Sequence, residues 1–348
     1  MKRIAFILMA IAVVASCTKT EISYDEPNQI SFAPVAKVST KAAVNTYPTG
    51  LPLLVYANAG IKNATTPTDI TSFTEVYLND SEFTHSSGVF TNATAFWPNV
   101  KALIFAGVSK SGNVAAGNVE ASFPTANTVT VSGYNQPDTG NNDLMWFLHT
   151  TPETSKSTNL EVTMQHACSW LVFNFKGDEV TASTTQPWKV TKVVVKSVSK
   201  TGTATLGASA VWSSVGGGAD YIVHNDYSAD DTGTETVYDN DNKGKALTAG
   251  GVTISNDNNV VVIPQAPKQL EITYEFKAPS GNIIRETKEV SLAYADPSTD
   301  WVAGKKYTYD ITIGTAQIKI APTASTWGDY DANPATPDVA DPIEKDAQ

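Results

Sequence analysis

Leu270, Ile272, Tyr274 and Phe276 alternate with Glu271, Thr273 and Glu275, an apolar side chain at every second position. A period of two puts such residues on one face of a β-strand, because successive side chains leave opposite sides of the pleat. The beat recurs at Val290, Leu292 and Tyr294, at Tyr307, Tyr309, Ile311 and Ile313, and at Ala316, Ile318 and Ile320. Apolar or alternating runs rich in β-branched and aromatic residues also occupy 51–57, 74–78, 95–97, 102–108, 128–131, 190–198 and 260–263. Gly, Pro, Asn, Ser and Thr separate them. No stretch sustains a 3.6-residue apolar period, so the pattern predicts an all-β chain.

The longest strand-like run, Leu160 to Phe175, changes phase midway: Leu160, Val162 and Met164 set one parity, Leu171, Phe173 and Phe175 the other. A β-bulge within one strand would reconcile the two. The polar stretch 177–187 that follows reads as a linker, and 348 residues leave room for two domains, 42–178 and 179–327. Past Trp327 the chain turns acidic and proline-containing, so 328–348 is expected to be a disordered tail.

Acidic residues outnumber Lys and Arg by 35 to 24, which argues against a nucleic-acid partner and suits a soluble surface protein. Lys2 and Arg3 precede an apolar run, Ile4 to Val14, followed by Ala15 and Ser16: a secretory signal peptide at 1–17. The run falls short of the about 20 residues needed to span a bilayer. Val14-Ala15-Ser16-Cys17 has the form of a bacterial lipobox, which makes Cys17 a lipidation site; acyl chains would anchor the protein durably. The other cysteine, Cys168, reads as a small buried apolar residue, and with one thiol left no internal disulfide is expected.

Between anchor and body lies a segment, 18–41, in which Ile30, Phe32, Ala36 and Val38 share one strand face with Pro34 among them. Proline donates nothing to a ladder, so the pattern predicts a sheet-edge strand, one that can be lost without splitting its sheet. Lys41 and Ala42 follow, a basic residue among small ones of the kind a trypsin-like protease cuts. Removing the strand would open a groove with high affinity for a replacement.

Chemistry is harder to place. Four histidines stand apart at 85, 149, 166 and 224 with no metal-ligand spacing, and Ser169 lies in an apolar run without a nucleophile elbow. His166 and Cys168, two apart, would share a strand face, and a core histidine with a hydrogen bond is the better reading. Asp239 to Gly244 opens like a calcium loop but has Lys243 where an oxygen ligand belongs, and Gly216 to Gly218 lack the Lys-Ser/Thr of a phosphate loop and read as a flexible turn. The tryptophans at 97, 170, 188, 212, 301 and 327 sit in or beside apolar runs and read as packing residues. Neither an enzyme nor any cofactor or metal is expected.

Several segments together resemble the fimbrillin family, the lipoprotein-derived pilins of type V pili: the lipobox Cys17, ISFAPVAK with TKAA after it, AFWPNVKALIFAG, NNDLMW, LEVTMQHACSWLVFNF, VVIPQAPKQLEITYEF and VSLAYADPSTDWVAGKKYTYDITIG. The resemblance implies two tandem transthyretin-like β-sandwich (Greek-key) domains, an outer-membrane lipoprotein at the cell surface, and cleavage by a processing protease at a site matching Lys41 and Ala42. It further implies that a C-terminal strand of another pilin subunit, carrying Ile318 and Ile320 here, fills the groove left by Ile30, Phe32, Ala36 and Val38. The expected role is adhesion, with a receptor on a host or bacterial surface as a further partner. The alternatives are an unprocessed anchor or tip adhesin subunit and a monomeric glycan-binding surface lipoprotein.

Overall fold

The computed structural model describes residues 28–34, 47, 50–62, 70–99, 101–122, 125–137, 143–154, 159–183, 185–226, 244–254, 260–293, 300–326 and 345–346. Among them there are strands and turns but no helix, so the all-β class stands. The strands up to His166 are β1 (Gln29–Pro34), β2 (Leu53–Lys62), β3 (Ile70–Ser86), β4 (Val89–Phe96), β5 (Lys101–Ser109), β6 (Val119–Ser122), β7 (Thr128–Asn135), β8 (Met145–Glu153), β9 (Leu160–Val162) and β10 (Gln165–His166). Then come β11 (Ser169–Gly177), β12 (Lys189–Leu206), β13 (Ala210–Asn225), β14 (Lys245–Ala246), β15 (Val252–Thr253), β16 (Val260–Val262), β17 (Gln269–Lys277), β18 (Ile283–Ser291), β19 (Lys305–Ile313), β20 (Ile318–Thr326) and β21 (Lys345–Asp346).

Three sheets result. The first runs β10-β8-β5-β2-β3-β4-β1-β9; the second runs β15-β11-β19-β20-β21 with β16 also on β11; the third runs β18-β17-β12-β7-β6 with β13 and β14 also on β12. The unbroken apolar run 102–108 follows from the place of β5. Leu103 and Phe105 enter one hydrophobic cluster, and Ala102, Ile104, Ala106 and Val108 enter the next. β2 is divided the same way, with Leu53 and Val55 on one side and Leu54 and Tyr56 on the other. A strand covered on both faces has no polar parity to show.

The cores therefore stack in three. The first holds β1 against β2, β4, β5 and β8. The middle one joins Leu54, Ile104 and Trp146 to Val129 and Val131 of β7, to Ala204 and Leu206 of β12 and to Val261 and Ile263. The third packs Leu171, Phe173 and Phe175 of β11 under β12, β17, β19 and β20. The sheets thus do not divide at residue 178: β6 and β7 join β12, while β11 lies parallel to β19 over eight residue pairs.

The run 160–175 is not one bulged strand. It splits into β9, β10 and β11, which pair with β1, β8 and β19 respectively, so the phase change marks a chain crossing between sheets. Gly216 to Gly218 form part of β13 rather than a turn: they lie opposite Ser199 and Thr201 beside register shifts, and the positive φ of Gly217 (66°) is one a bulge needs. Within the 177–187 stretch, residues 178 to 181 are held by hydrogen bonds. Thr181 is fully buried and donates to the Ile313 carbonyl at 2.6 Å, while Asp178 Oδ1 accepts from the amides of Val180 and Thr181. Those amides hold the Asp178 carboxyl below the ordinary range, although partial burial opposes them.

Candidate functional site

β1 is seated from both sides. It pairs antiparallel with β4, Ser31 opposite Thr91 and Phe32 opposite Phe90, with a bulge between Gln29 and Ser31. On its other edge it pairs in parallel with β9, Phe32 opposite Leu160, Ala33 opposite Glu161 and Pro34 opposite Val162. The expected edge position is thus corrected: the three-residue β9 forms the edge, and Pro34 is accommodated because it ends its strand. The Trp97 amide donates to the Asn28 carbonyl at 2.8 Å, Gln29 Nε2 to the Asn92 carbonyl at 2.6 Å and Ser31 Oγ to Asn159 Oδ1 at 2.6 Å.

Ile30 and Phe32 are completely buried. The Phe32 ring meets Phe83 and Phe105 edge-on, centroids 5.3 and 5.2 Å apart, and Phe147 tilted at 5.4 Å. Aromatic pairs of this geometry are worth about 0.5–1.5 kcal/mol each beyond the area they bury. Nearby, Tyr47 packs edge-on against Phe90 and His85 and donates to the Pro52 carbonyl at 3.3 Å; burial drives its phenol far above its usual pKa. The seat is an apolar slot with open ladders on two sides, shaped to hold an extended strand.

Of the residues singled out in the sequence, Ile30 and Phe32 lie in this seat, whereas Cys17, Ala36, Val38, Lys41 and Ala42 lie outside the described residues. Ile318 and Ile320 belong to β20, where they face the third cluster and pair with Ile313 and Ile311 of β19. The two groups are not brought together within one chain. Phe83, Phe105, Phe147, Leu160 and Val162, which build the seat, come from four other strands, and no local motif announces them.

A second buried group lies where the chain crosses between sheets. Asp143 accepts from the Cys168 amide at 3.1 Å through Oδ1 and meets His166 Nδ1 through Oδ2. Cys168 Sγ lies 3.5 Å from Gln136 Oε1, to which Tyr134 also donates at 3.2 Å. All five side chains are buried, and burial, aided by the Asp143 charge, pushes the Cys168 thiol well up. A thiol so held is a poor nucleophile. The expected core histidine with a hydrogen bond is found, its partner a carboxylate 23 residues away.

Among the described residues no group of three or more His, Cys, Asp or Glu side chains is placed to hold a metal, and no helix is long and apolar enough to cross a membrane. Asp239 to Lys243 lie outside the described residues. Trp97 and Trp301 are buried, Trp170, Trp188 and Trp212 half-buried, and Trp327 lies outside the described residues.

The described residues form an all-β body with an apolar strand seat, an architecture suited to a structural or binding role. The chain belongs to the fimbrillin-like family, whose pattern matches residues 40–327. Among solved structures it is similar to a fimbrial protein from Bacteroides vulgatus, with 16% identity, a TM-score of 0.55, and coverage of 86% of this chain and 99% of that one. It is also similar to a candidate cell adhesion protein from Bacteroides ovatus, with 13% identity, a TM-score of 0.50, and coverage of 87% and 98%. At such identities the likeness is one of fold. A comparison with curated proteins finds no match.

Proposed function

We propose that this chain is a structural subunit of an adhesive fimbria, exported as a lipoprotein on Cys17, cut at the cell surface between Lys41 and Ala42, and polymerised when a strand from another subunit replaces β1. The observation that carries this reading is the seat of β1. Two side chains, Ile30 and Phe32, are completely buried there, on a strand that no disulfide among the described residues holds to the body. Each is worth roughly 1.5–3 kcal/mol of burial, so a vacated seat exposes a large apolar area and two unpaired ladder edges. Family membership supports the reading, and the family match begins at residue 40, which leaves β1 outside it. Cutting at Lys41 would separate β1 from the matched body.

The test is the mature N-terminus of protein taken from the surface of the producing cell, read by intact mass. A chain beginning at Ala42, in material that runs as a ladder of detergent-resistant oligomers, is the expected result. A chain beginning at acylated Cys17 would keep its seat filled, and the protein would then be an anchor subunit or a monomeric lipoprotein.

A further inference from the structure

β13 is a long sheet edge without the usual guards. It pairs with β12 from end to end and, among the described residues, with no other strand. Edge strands are normally protected by charge, since their open N–H and C=O groups otherwise accept another strand. β18, another edge of the same sheet, follows the rule, with Arg285, Glu286, Lys288 and Glu289 among its 9 residues. β13 has only Asp220 and His224 in 16. The His224 side chain is buried, and Lys196 Nζ neutralises Asp220 at 2.6 Å. In place of charge the strand exposes Val211, Val215 and Ile222, at 60, 36 and 58% of their surface.

Val211 and Ile222 face the same way. Val211 lies opposite Thr205, between the inward Ala204 and Leu206, and Ile222 lies opposite Val194, between the inward Val193 and Val195. Both therefore stand on the outer face of the sheet. Ser213, opposite Thr203, and Asp220, beside the inward Tyr221, share that face, while Trp212 packs on the middle cluster.

We propose that β13 pairs antiparallel with β13 of a second copy of this chain, about a two-fold axis at Gly217. The faces then match throughout: Ile222 stands opposite Val211 of the second copy, Tyr221 opposite its Trp212 and Asp220 opposite its Ser213. Ser214 and Val215, which bulge between Ser213 and Gly216, together oppose Ala219, and Gly216 meets Gly218. The Ile222–Val211 contact forms twice by symmetry and covers the two most exposed apolar side chains of the strand. At the axis Gly217 has no side chain to hold the two backbones apart. Charge selects the occupant. Two copies of a chain with net charge -11 repel one another in general, and this edge brings no carboxylate against another. β1 lies in the first sheet and β13 in the third, so the pairing is independent of the strand exchange proposed above.

The purified full-length precursor, kept in mild detergent, tests the pairing with β1 still in its seat. Ser213→Cys with Asp220→Cys matches the register, while Ser213→Cys with Ile222→Cys is two residues out. Opposite residues of an antiparallel pair have Cα atoms about 4.5–5.5 Å apart, within the about 4.4–6.8 Å that a disulfide spans. At roughly 3.3 Å per residue the two positions within one chain are about 20 Å apart, so a disulfide must join copies. After oxidation and boiling in detergent, a reductant-sensitive dimer from the first pair alone is expected, with no longer ladder, because a two-fold contact closes at two copies. No dimer from the first pair, or an equal one from the second, overturns the pairing. Independently of any cysteine, the unaltered precursor should sediment as a monomer–dimer equilibrium. Val211→Lys, at an exposed position, should weaken that equilibrium about tenfold. A monomer at every concentration, or a dimer indifferent to Val211→Lys, overturns the proposal. Ser213→Cys alone, oxidised on the producing cell, should form no disulfide with a chain of another mass; such a product would assign the edge to a different protein and overturn the second copy as its occupant.

Discussion

Phe32 concentrates the strand seat in one side chain, with three aromatic rings around it and no exposed surface. Replacing it with Ala in the unprocessed chain should cost about 3–5 kcal/mol, read as a lowered denaturant midpoint. On the processing proposed above, the mature fibre should dissolve at the same temperature as before, because the residue would leave with the cut segment. A fibre weakened along with its precursor would mean that β1 stays in place. The sequence made Phe32 and Ile30 visible through their shared parity, which is a local property. It could not display Asp143 as the partner of His166 and the Cys168 amide, since their meeting depends on the return of the chain after β8.

At the scale of elements, β5 and β8 support β1 through a glycine. A Cβ on Gly107 would stand 2.2 Å from Cε1 of Phe147, whose ring in turn touches Phe32. Gly107→Ala should therefore displace Phe147 and cost about 1–3 kcal/mol by overpacking, a loss that thermal unfolding of the precursor would register. A neutral variant would show that the ring has room to move. The alternating runs at 270–276 and 307–313 appear as β17 and β19 with the expected faces inward, because one face of each meets a core and the other does not. The run 160–175 misleads for a related reason. Its two parities are real, but they serve different sheets, and parity alone carries no information about which neighbour a strand will find.

Over the whole molecule, the middle cluster binds the two halves of the chain. Val129, Val131 and Tyr134 reach Ala204 and Leu206 there, and β7 pairs with β12 over residues 201–206. Fragments 42–178 and 179–327 expressed separately should then fail to fold: the first loses the partner of β7, and the second loses β11 from beneath its core. Amide spectra of each fragment would decide the matter, and a well-dispersed spectrum from either would refute the shared core.

The sequence by itself determined what is local: strands rather than helices, the faces that turn inward, the absence of a metal-spaced histidine pair, and an apolar segment ahead of Lys41. These follow from side-chain order along an extended backbone, which the pleat converts directly into faces. Only the tertiary structure decided that β1 lies between β4 and β9, that β11 crosses to the second sheet, and that the buried residues gather in three cores. Ladder partners are chosen among distant segments: Asn174 lies opposite Asp310, 136 positions along the chain. That choice is made by the free energy of closing the whole set of sheets around shared apolar surface, not by any one stretch of chain.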